Sequence, residues 1–175
     1  MSEQQSWAVE PLSFGHEVDG FDCGSILETT WLRRHGLSEQ HSGSSRTYVV
    51  RRSGDRRVVG FHALTTGAIL PLESRGHATD GGEVDPVSVI VLTHLGVDLP
   101  EQGQNMGRHL LVDALQRVNA AADLIGAKAL LIHTADAQAR SFYLALAEFE
   151  ASPTDPLHLL LSIKDFRHSS AVVQR

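Results

Sequence analysis

The residue types best able to do chemistry gather in one short loop. Gln102-Gly103-Gln104-Asn105-Met106-Gly107-Arg108 follows an apolar run and opens an amphipathic stretch. A helix starting there presents free backbone N–H groups and the positive end of its dipole, an arrangement that favours phosphate groups. Small residues let the backbone come close to such a group, and Arg108 can add a charge. Taken by spacing alone, the loop is equally an ordinary strand-to-helix connection. It lacks the Gly-Lys-Ser/Thr ending of a nucleotide-triphosphate loop and the three-glycine pattern of a dinucleotide-binding turn.

Other reactive side chains offer less. The ten histidines are scattered, and pairs such as His35 and His41, or His158 and His168, have no familiar ligand spacing, so no metal is expected. Cys23 has no base beside it in sequence and reads as a packed thiol. No Gly-x-Ser-x-Gly elbow is present. Trp31 reads as core. Tyr143, next to Phe142, reads on spacing as part of a helix packing face. Residues 33–57 hold seven arginines (Arg33, Arg34, Arg46, Arg51, Arg52, Arg56, Arg57) against Glu39 and Asp55. That segment carries +5 within a chain of net charge −6, leaving −11 elsewhere. Such a basic face can meet phosphates, or it can be a solvated hairpin and helix end.

The elements that must position these residues follow from periodicity and caps. Trp7 to Leu12 fits a short first strand. Ser25 and Glu28 have capping-box spacing, so a helix starts near Ser25, runs through Leu27, Trp31 and Leu32, and is expected to stop at Gly36. Arg46 to Arg52, a tight turn at Gly54-Asp55, and Arg57 to Leu70 read as a β-hairpin. Pro71 to Pro86 reads as a loop between strands. Val87 to Leu99 is the strongest strand signal, a β-branched apolar run suited to a buried central strand. Leu111, Leu115, Val118, Ala122 and Ile125 mark one face of a helix ended by Gly126. Ala129 to His133 is a short strand, Asp136 caps a helix through Leu146, and Leu157 to Ile163 is a last strand. The order is β-α-β-β-β-α-β-α-β, a mixed α/β chain.

A length of 175 residues with 42% hydrophobic content suits a single domain over 1–175 with a real core. The polar start, the absence of a spanning apolar run and the lone cysteine point to a cytoplasmic protein with no membrane association and no internal disulfide.

The loop resembles the Gln/Arg-x-x-Gly-x-Gly/Ala pyrophosphate loop of GNAT N-acetyltransferases, with Asn105 at the position of that family's first glycine. Further segments, in order, resemble one subgroup, the acetyltransferase toxins of type II toxin–antitoxin modules. These are Phe21-Asp22-Cys23-Gly24, Trp31-Leu32, Ser45 to Val50, Val58-Val59-Gly60-Phe61, Leu64-Thr65-Thr66-Gly67, Leu92, Leu95-Gly96-Val97-Asp98 and Phe142-Tyr143. The match covers roughly residues 10–163. Glu148 stands where the family has a glycine before Phe149, and His94 where relatives often carry arginine.

The resemblance implies a GNAT fold, a twisted and mostly antiparallel sheet flanked by helices, and acetyl-coenzyme A as co-substrate. It implies that Gln102 to Arg108 hold the pyrophosphate, that the backbone of Leu95, Gly96 and Val97 meets the thioester, and that Tyr143 is the general acid. A phenol, with a reference pKa of about 10, stays protonated at neutral pH and can donate to a departing thiolate. No general base stands out. An α-amine, with a reference pKa of about 7.7–8.0 that an adjacent ester lowers, is already largely neutral, which favours aminoacyl-tRNA over a lysine acceptor. Arg33, Arg34, Arg46, Arg51, Arg52 and His94 are the candidate tRNA contacts. The implied partners are a ribbon-helix-helix antitoxin and a second copy of the chain in a homodimer. Two alternatives stay open on sequence: acetylation of another amine, and a domain that binds a partner without turnover.

Overall fold

A computed structural model describes residues 7–70 and 85–173. Most of the loop expected over Pro71 to Pro86 lies outside the described residues. The strands are β1 (Val9–Pro11), β2 (Arg46–Arg51), β3 (Val58–Ile69), β4 (Val87–Val97), β5 (Ala129–His133), β6 (Glu150–Ala151) and β7 (His158–Ser162). The helices are α1 (Ile26–Trp31), α2 (Leu37–Ser42), α3 (Met106–Ile125), α4 (Ala137–Leu146) and α5 (Ile163–Val173). The strands form one sheet in the order β1-β2-β3-β4-β5-β7-β6. β4 and β5 are parallel, whereas β1–β2, β2–β3, β5–β7 and β6–β7 are antiparallel. This is the mixed α/β order read from the sequence, with the mostly antiparallel sheet that the resemblance implies. The backbone divides into two compact units, Met1–Thr65 with Thr93–Leu115, and Thr66–Leu92 with Gln116–Arg175.

In the first unit, adjacent residues of β2 and β3 point to opposite faces, and the register shift between Val50 and Arg51 lets Val58 and Phe61, three apart, share one face. Val49, Val58 and Phe61 join Leu12, Phe21 and Leu32 in one buried cluster. Their neighbours Val50 and Val59 join Met106 and Leu110 of α3 in another. The hairpin turns at Gly54, φ +74°, with the Asp55 amide donating to the Arg52 carbonyl at 3.0 Å.

Ser25 caps α1 as its spacing predicts, accepting from the Glu28 amide at 3.4 Å. Gly36, however, does not stop the helix. The chain continues through a π-helical stretch, Leu32–Gly36, into α2, and the left-handed stop is Gly43, φ +78°. Gly36 serves close packing instead: a β-carbon there would lie 3.3 Å from Leu32 Cδ1 and 3.4 Å from Leu12 Cδ2.

In the second unit, Ile69, Val87, Val89, Val91 and Leu131 form a buried cluster. Asp136 caps α4, accepting from the Ala139 amide at 2.8 Å. Leu111, Leu115, Val118 and Ala122 are buried along α3, but Ile125 is 58% exposed. A strict seven-residue spacing drifts by roughly 20° per heptad on a straight helix, so a stripe begun at Leu111 has rotated outward by Ile125. β6 and α5 have no counterpart among the elements expected from sequence. Arg167 of α5 is fastened to α3 by Asn119 Oδ1 at 2.6 Å and Asp123 Oδ1 at 2.7 Å.

Candidate active site

The end of β4 is held by a set of buried polar contacts. Asp98, 1% exposed, accepts from the Asp22 amide through Oδ1 at 2.9 Å and from Arg57 Nη2 through Oδ2 at 2.9 Å. The Leu99 amide donates to the Asp22 carbonyl at 2.8 Å. Gln102 Nε2 donates to the carbonyls of Cys23 at 3.0 Å and Val97 at 2.9 Å. The turn around Cys23 and the loop after β4 are thereby tied to one another. The Gln102 side chain is taken up by these contacts, and its backbone N–H donates to the Leu99 carbonyl at 3.3 Å.

Gly96 is where the strand needs no side chain. A β-carbon there would lie 2.9 Å from Phe61 Cε1 and 3.2 Å from Cys23 Sγ. Leu95 and Val97 point the other way, packing on the cluster of Val50, Val59, Met106 and Leu110. Cys23 is the packed thiol its sequence context predicts, its Sγ 3.4 Å from Thr29 Oγ1.

The loop then turns through two left-handed residues. Gly103 has φ +80°, with open space where a β-carbon would stand, and Asn105 has φ +65°. Asn105 is the sole non-glycine with positive φ among the described residues, and asparagine is one of the few residues that tolerates this region. The loop therefore turns at this position with asparagine in place of the family's glycine. Met106 is fully buried, its sulfur seated over Gly60, so it anchors α3 while Gln104, Asn105 and Arg108 stay exposed. The twenty-residue α3 thus opens with amides that have no partner within the helix.

On the Gly96 face of β4, His94 has its ring stacked on Trp31, with centroids 4.0 Å apart and planes at 18°. Its Nδ1 lies 2.7 Å from Glu28 Oε2. Sequence spacing showed Glu28 only as a capping-box residue, and nothing local signals its partnership with His94.

The basic segment divides in two. Arg51 pairs with Glu10 at 2.7 Å, Arg52 with Glu101 at 2.8 Å, Arg56 with Glu17 at 3.9 Å and Arg57 with Asp98. Arg33 and Arg34, on the π-helical stretch, and Arg46, at the start of β2, are exposed. Among the described residues, Arg46 donates only a long 3.5 Å bond to the Gln40 carbonyl.

Tyr143 belongs to the second unit, on α4. It is buried, with its ring edge-on to Phe142 at 5.1 Å and Phe149 at 6.3 Å. Glu148 needs no glycine-like geometry. The helix ends on Ala147 in extended conformation, its amide donating to the Tyr143 carbonyl, and Glu148 is exposed with an ordinary φ.

No family model matches the chain. Over 160 residues it is 43% identical to a tRNA-acetylating toxin of Mycobacterium tuberculosis (strain ATCC 25618 / H37Rv), spanning 91% of this chain and 94% of that protein. The chain belongs to the family of GNAT acetyltransferase toxins. AtaT complexed with acetyl-methionyl-tRNAfMet shares the fold at TM-score 0.82 and 20% identity, covering 93% of this chain and 98% of that one. AtaT bound to acetyl-CoA and the C-terminus of the antitoxin AtaR matches at TM-score 0.76 and 21% identity, over 90% and 94%. Within this toxin fold, the first unit brings together His94, Leu95 to Val97 and Gln102 to Arg108, while Tyr143 sits on an element of the second.

Proposed function

We propose that this acetyltransferase toxin transfers the acetyl group of acetyl-CoA to the α-amine of aminoacyl-tRNA, blocking translation. The observation that carries the reading is 43% identity, along nearly the whole chain, to a tRNA-acetylating toxin. The left-handed Asn105 supports it, because asparagine there adopts a conformation open to the glycine of the family's pyrophosphate loop. In this reading the diphosphate lies on the first-turn amides of α3, with Arg108 beside it. Backbone N–H groups of Leu95 to Val97 face the carbonyl oxygen of the thioester, where charge develops during attack. Tyr143 supplies the proton to the leaving thiolate.

Arg33, Arg34 and Arg46 are exposed and, among the described residues, pair with no carboxylate, and they supply the phosphate contacts to tRNA. An antitoxin neutralises the enzyme, and the ribbon-helix-helix type and a toxin homodimer complete the proposal. Both units belong to one acetyltransferase domain, acting in the cytoplasm, where charged tRNA is found.

The test is transfer of labelled acetyl from acetyl-CoA to a pool of charged tRNA, with Tyr143→Phe beside the wild type. Label on the aminoacyl group, reduced about 10²-fold or more in the variant, is expected. Label on protein lysines, with charged tRNA untouched, would overturn the reading.

A further inference from the structure

The sequence offers no general base, but the folded chain builds one. We infer that His94 is the proton acceptor for the attacking amine and that Glu28 is its positioning residue, an assignment that rests on the acetyl-transfer reading above.

Three observations converge. Glu28 Oε2 lies 2.7 Å from His94 Nδ1, so the carboxylate, an acceptor only, fixes the proton on Nδ1. This tautomer leaves a lone pair on Nε2, and among the described residues no hydrogen bond occupies that atom. Trp31 stacks on the ring at 4.0 Å and is itself stacked near-parallel on Phe61 at 6.0 Å, so the imidazole plane is fixed by packing as well as by the carboxylate. Both His94 and Glu28 side chains are 16% exposed, enough for a proton to pass to solvent and little enough to hold one geometry.

The position suits the role. His94 directly precedes Leu95, Gly96 and Val97, the stretch whose backbone the reading places against the thioester. Its side chain shares a strand face with Gly96, where the missing β-carbon leaves the backbone close to Phe61 and Cys23. An imidazole oriented by a carboxylate is the usual arrangement for taking a proton at neutral pH.

The step balances. The neutral α-amine nitrogen attacks the acetyl carbonyl carbon, forming the N–C bond. The nitrogen, now positively charged, gives a proton to His94 Nε2, and the imidazolium is held by the Glu28 carboxylate. Collapse breaks the C–S bond, and the thiolate takes a proton through Tyr143. One proton leaves nitrogen and one arrives at sulfur, so the imidazolium and the phenolate return to their starting states by exchange with solvent.

Three substitutions test this in the full chain with acetyl-CoA and charged tRNA. His94→Asn keeps an N–H able to reach Glu28 but has no atom at Nε2. His94→Arg keeps the pairing with Glu28 and cannot accept a proton. Glu28→Gln keeps an acceptor for Nδ1 without the charge. Both His94 variants are expected to lose about 10²-fold in kcat, with KM for acetyl-CoA and for charged tRNA and thermal stability close to wild type. Added imidazole is expected to restore part of the His94→Asn rate. Glu28→Gln is expected to lose less kcat than either, with KM unchanged.

Wild-type kcat in His94→Arg or His94→Asn would overturn the role while leaving acetyl transfer intact. So would a loss confined to the KM for tRNA, or one matched by lower stability and indifferent to imidazole. If the wild-type protein itself leaves charged tRNA unacetylated, the functional reading fails and the role of His94 falls with it.

Discussion

Arg57 Nη2 lies 2.9 Å from Asp98 Oδ2, and that carboxylate, 1% exposed, also accepts from the Asp22 amide. An arginine of the most basic segment is thus part of the fastening at the end of β4. Removing one partner of a buried pair leaves the other charge without compensation, at a cost of about 3–5 kcal/mol. Arg57→Ala is expected near that range in urea unfolding, because it leaves the buried Asp98 carboxylate without its cation. Asp98→Ala should cost less, about 2 kcal/mol, because solvent reaches the guanidinium it leaves behind and screens the loss. Equal and negligible effects from both would refute the fastening.

Asn105 holds φ +65° at the entry to α3. Glycine there removes a side chain from a conformation in which it is tolerated but not needed, so Asn105→Gly should bind acetyl-CoA at least as tightly as wild type. Asn105→Val puts a β-branched residue in the left-handed region, a strain of about 1–2 kcal/mol, and should weaken binding roughly tenfold. Calorimetric titration with acetyl-CoA measures both. Tight binding by the valine variant would mean that the loop's shape does not govern the affinity.

The arginines with and without a carboxylate partner should separate in salt titrations. Reversing Arg33, Arg34 and Arg46 to glutamate should weaken tRNA binding and flatten its dependence on salt, by a slope of roughly 0.7–0.9 for each phosphate no longer neutralised. Arg51→Ala and Arg52→Ala should leave that slope nearly unchanged, since Glu10 and Glu101 already neutralise them. The opposite ranking would place the tRNA on the hairpin.

Glu10 carries a pH dependence of stability. Its carboxylate accepts from His16 Nε2 at 2.8 Å and from Arg51 Nε at 2.7 Å. The hydrogen bond from His16 is the largest cause; desolvation opposes it, and the hydrogen bond and charge of Arg51 add to it, so that the carboxyl is held below its ordinary value of 4.5. A depressed folded pKa means that the unfolded chain binds the proton more readily. The stabilisation is therefore present above the unfolded value and lost as pH falls through the folded one. Glu10→Gln should be less stable than wild type at pH 7, and thermal unfolding across pH should show the gap closing in acid. A gap that stays constant from neutral pH into strong acid would exclude the linkage.

Much of the framework was legible because its signals are local. Ser25 and Asp136 cap helices through amides three residues on, and both do so here. The hairpin turns at Gly54, and β5 spans the same Ala129–His133 that its apolar run marks out. Asn105 tolerates positive φ through its own side chain, so its conformation could be anticipated from residue type. Gly36 misled for the complementary reason. A glycine can mark a stop or a close approach, and only Leu12, brought in from elsewhere, shows that it is the second. β6 is only two residues long, and α5 begins directly at the end of β7 and is anchored by Arg167 to residues 44 and 48 positions away. β6 is too short to leave a periodic signal, and α5 follows β7 with no turn between them to mark its start.

The sequence by itself determined the α/β order except for α2, β6 and α5, the strand-loop-helix turn at Gln102 to Arg108 and the excess of arginine in residues 33–57. Each of these depends on neighbours within a helical turn or a hairpin. The tertiary structure decided which of those arginines pair with a carboxylate, and it joined Glu28 to His94 across 66 positions. Charge pairing and proton acceptance depend on distances of about 3 Å between side chains. Chain separation says nothing about such distances until the sheet has brought the strand ends and the first helix together.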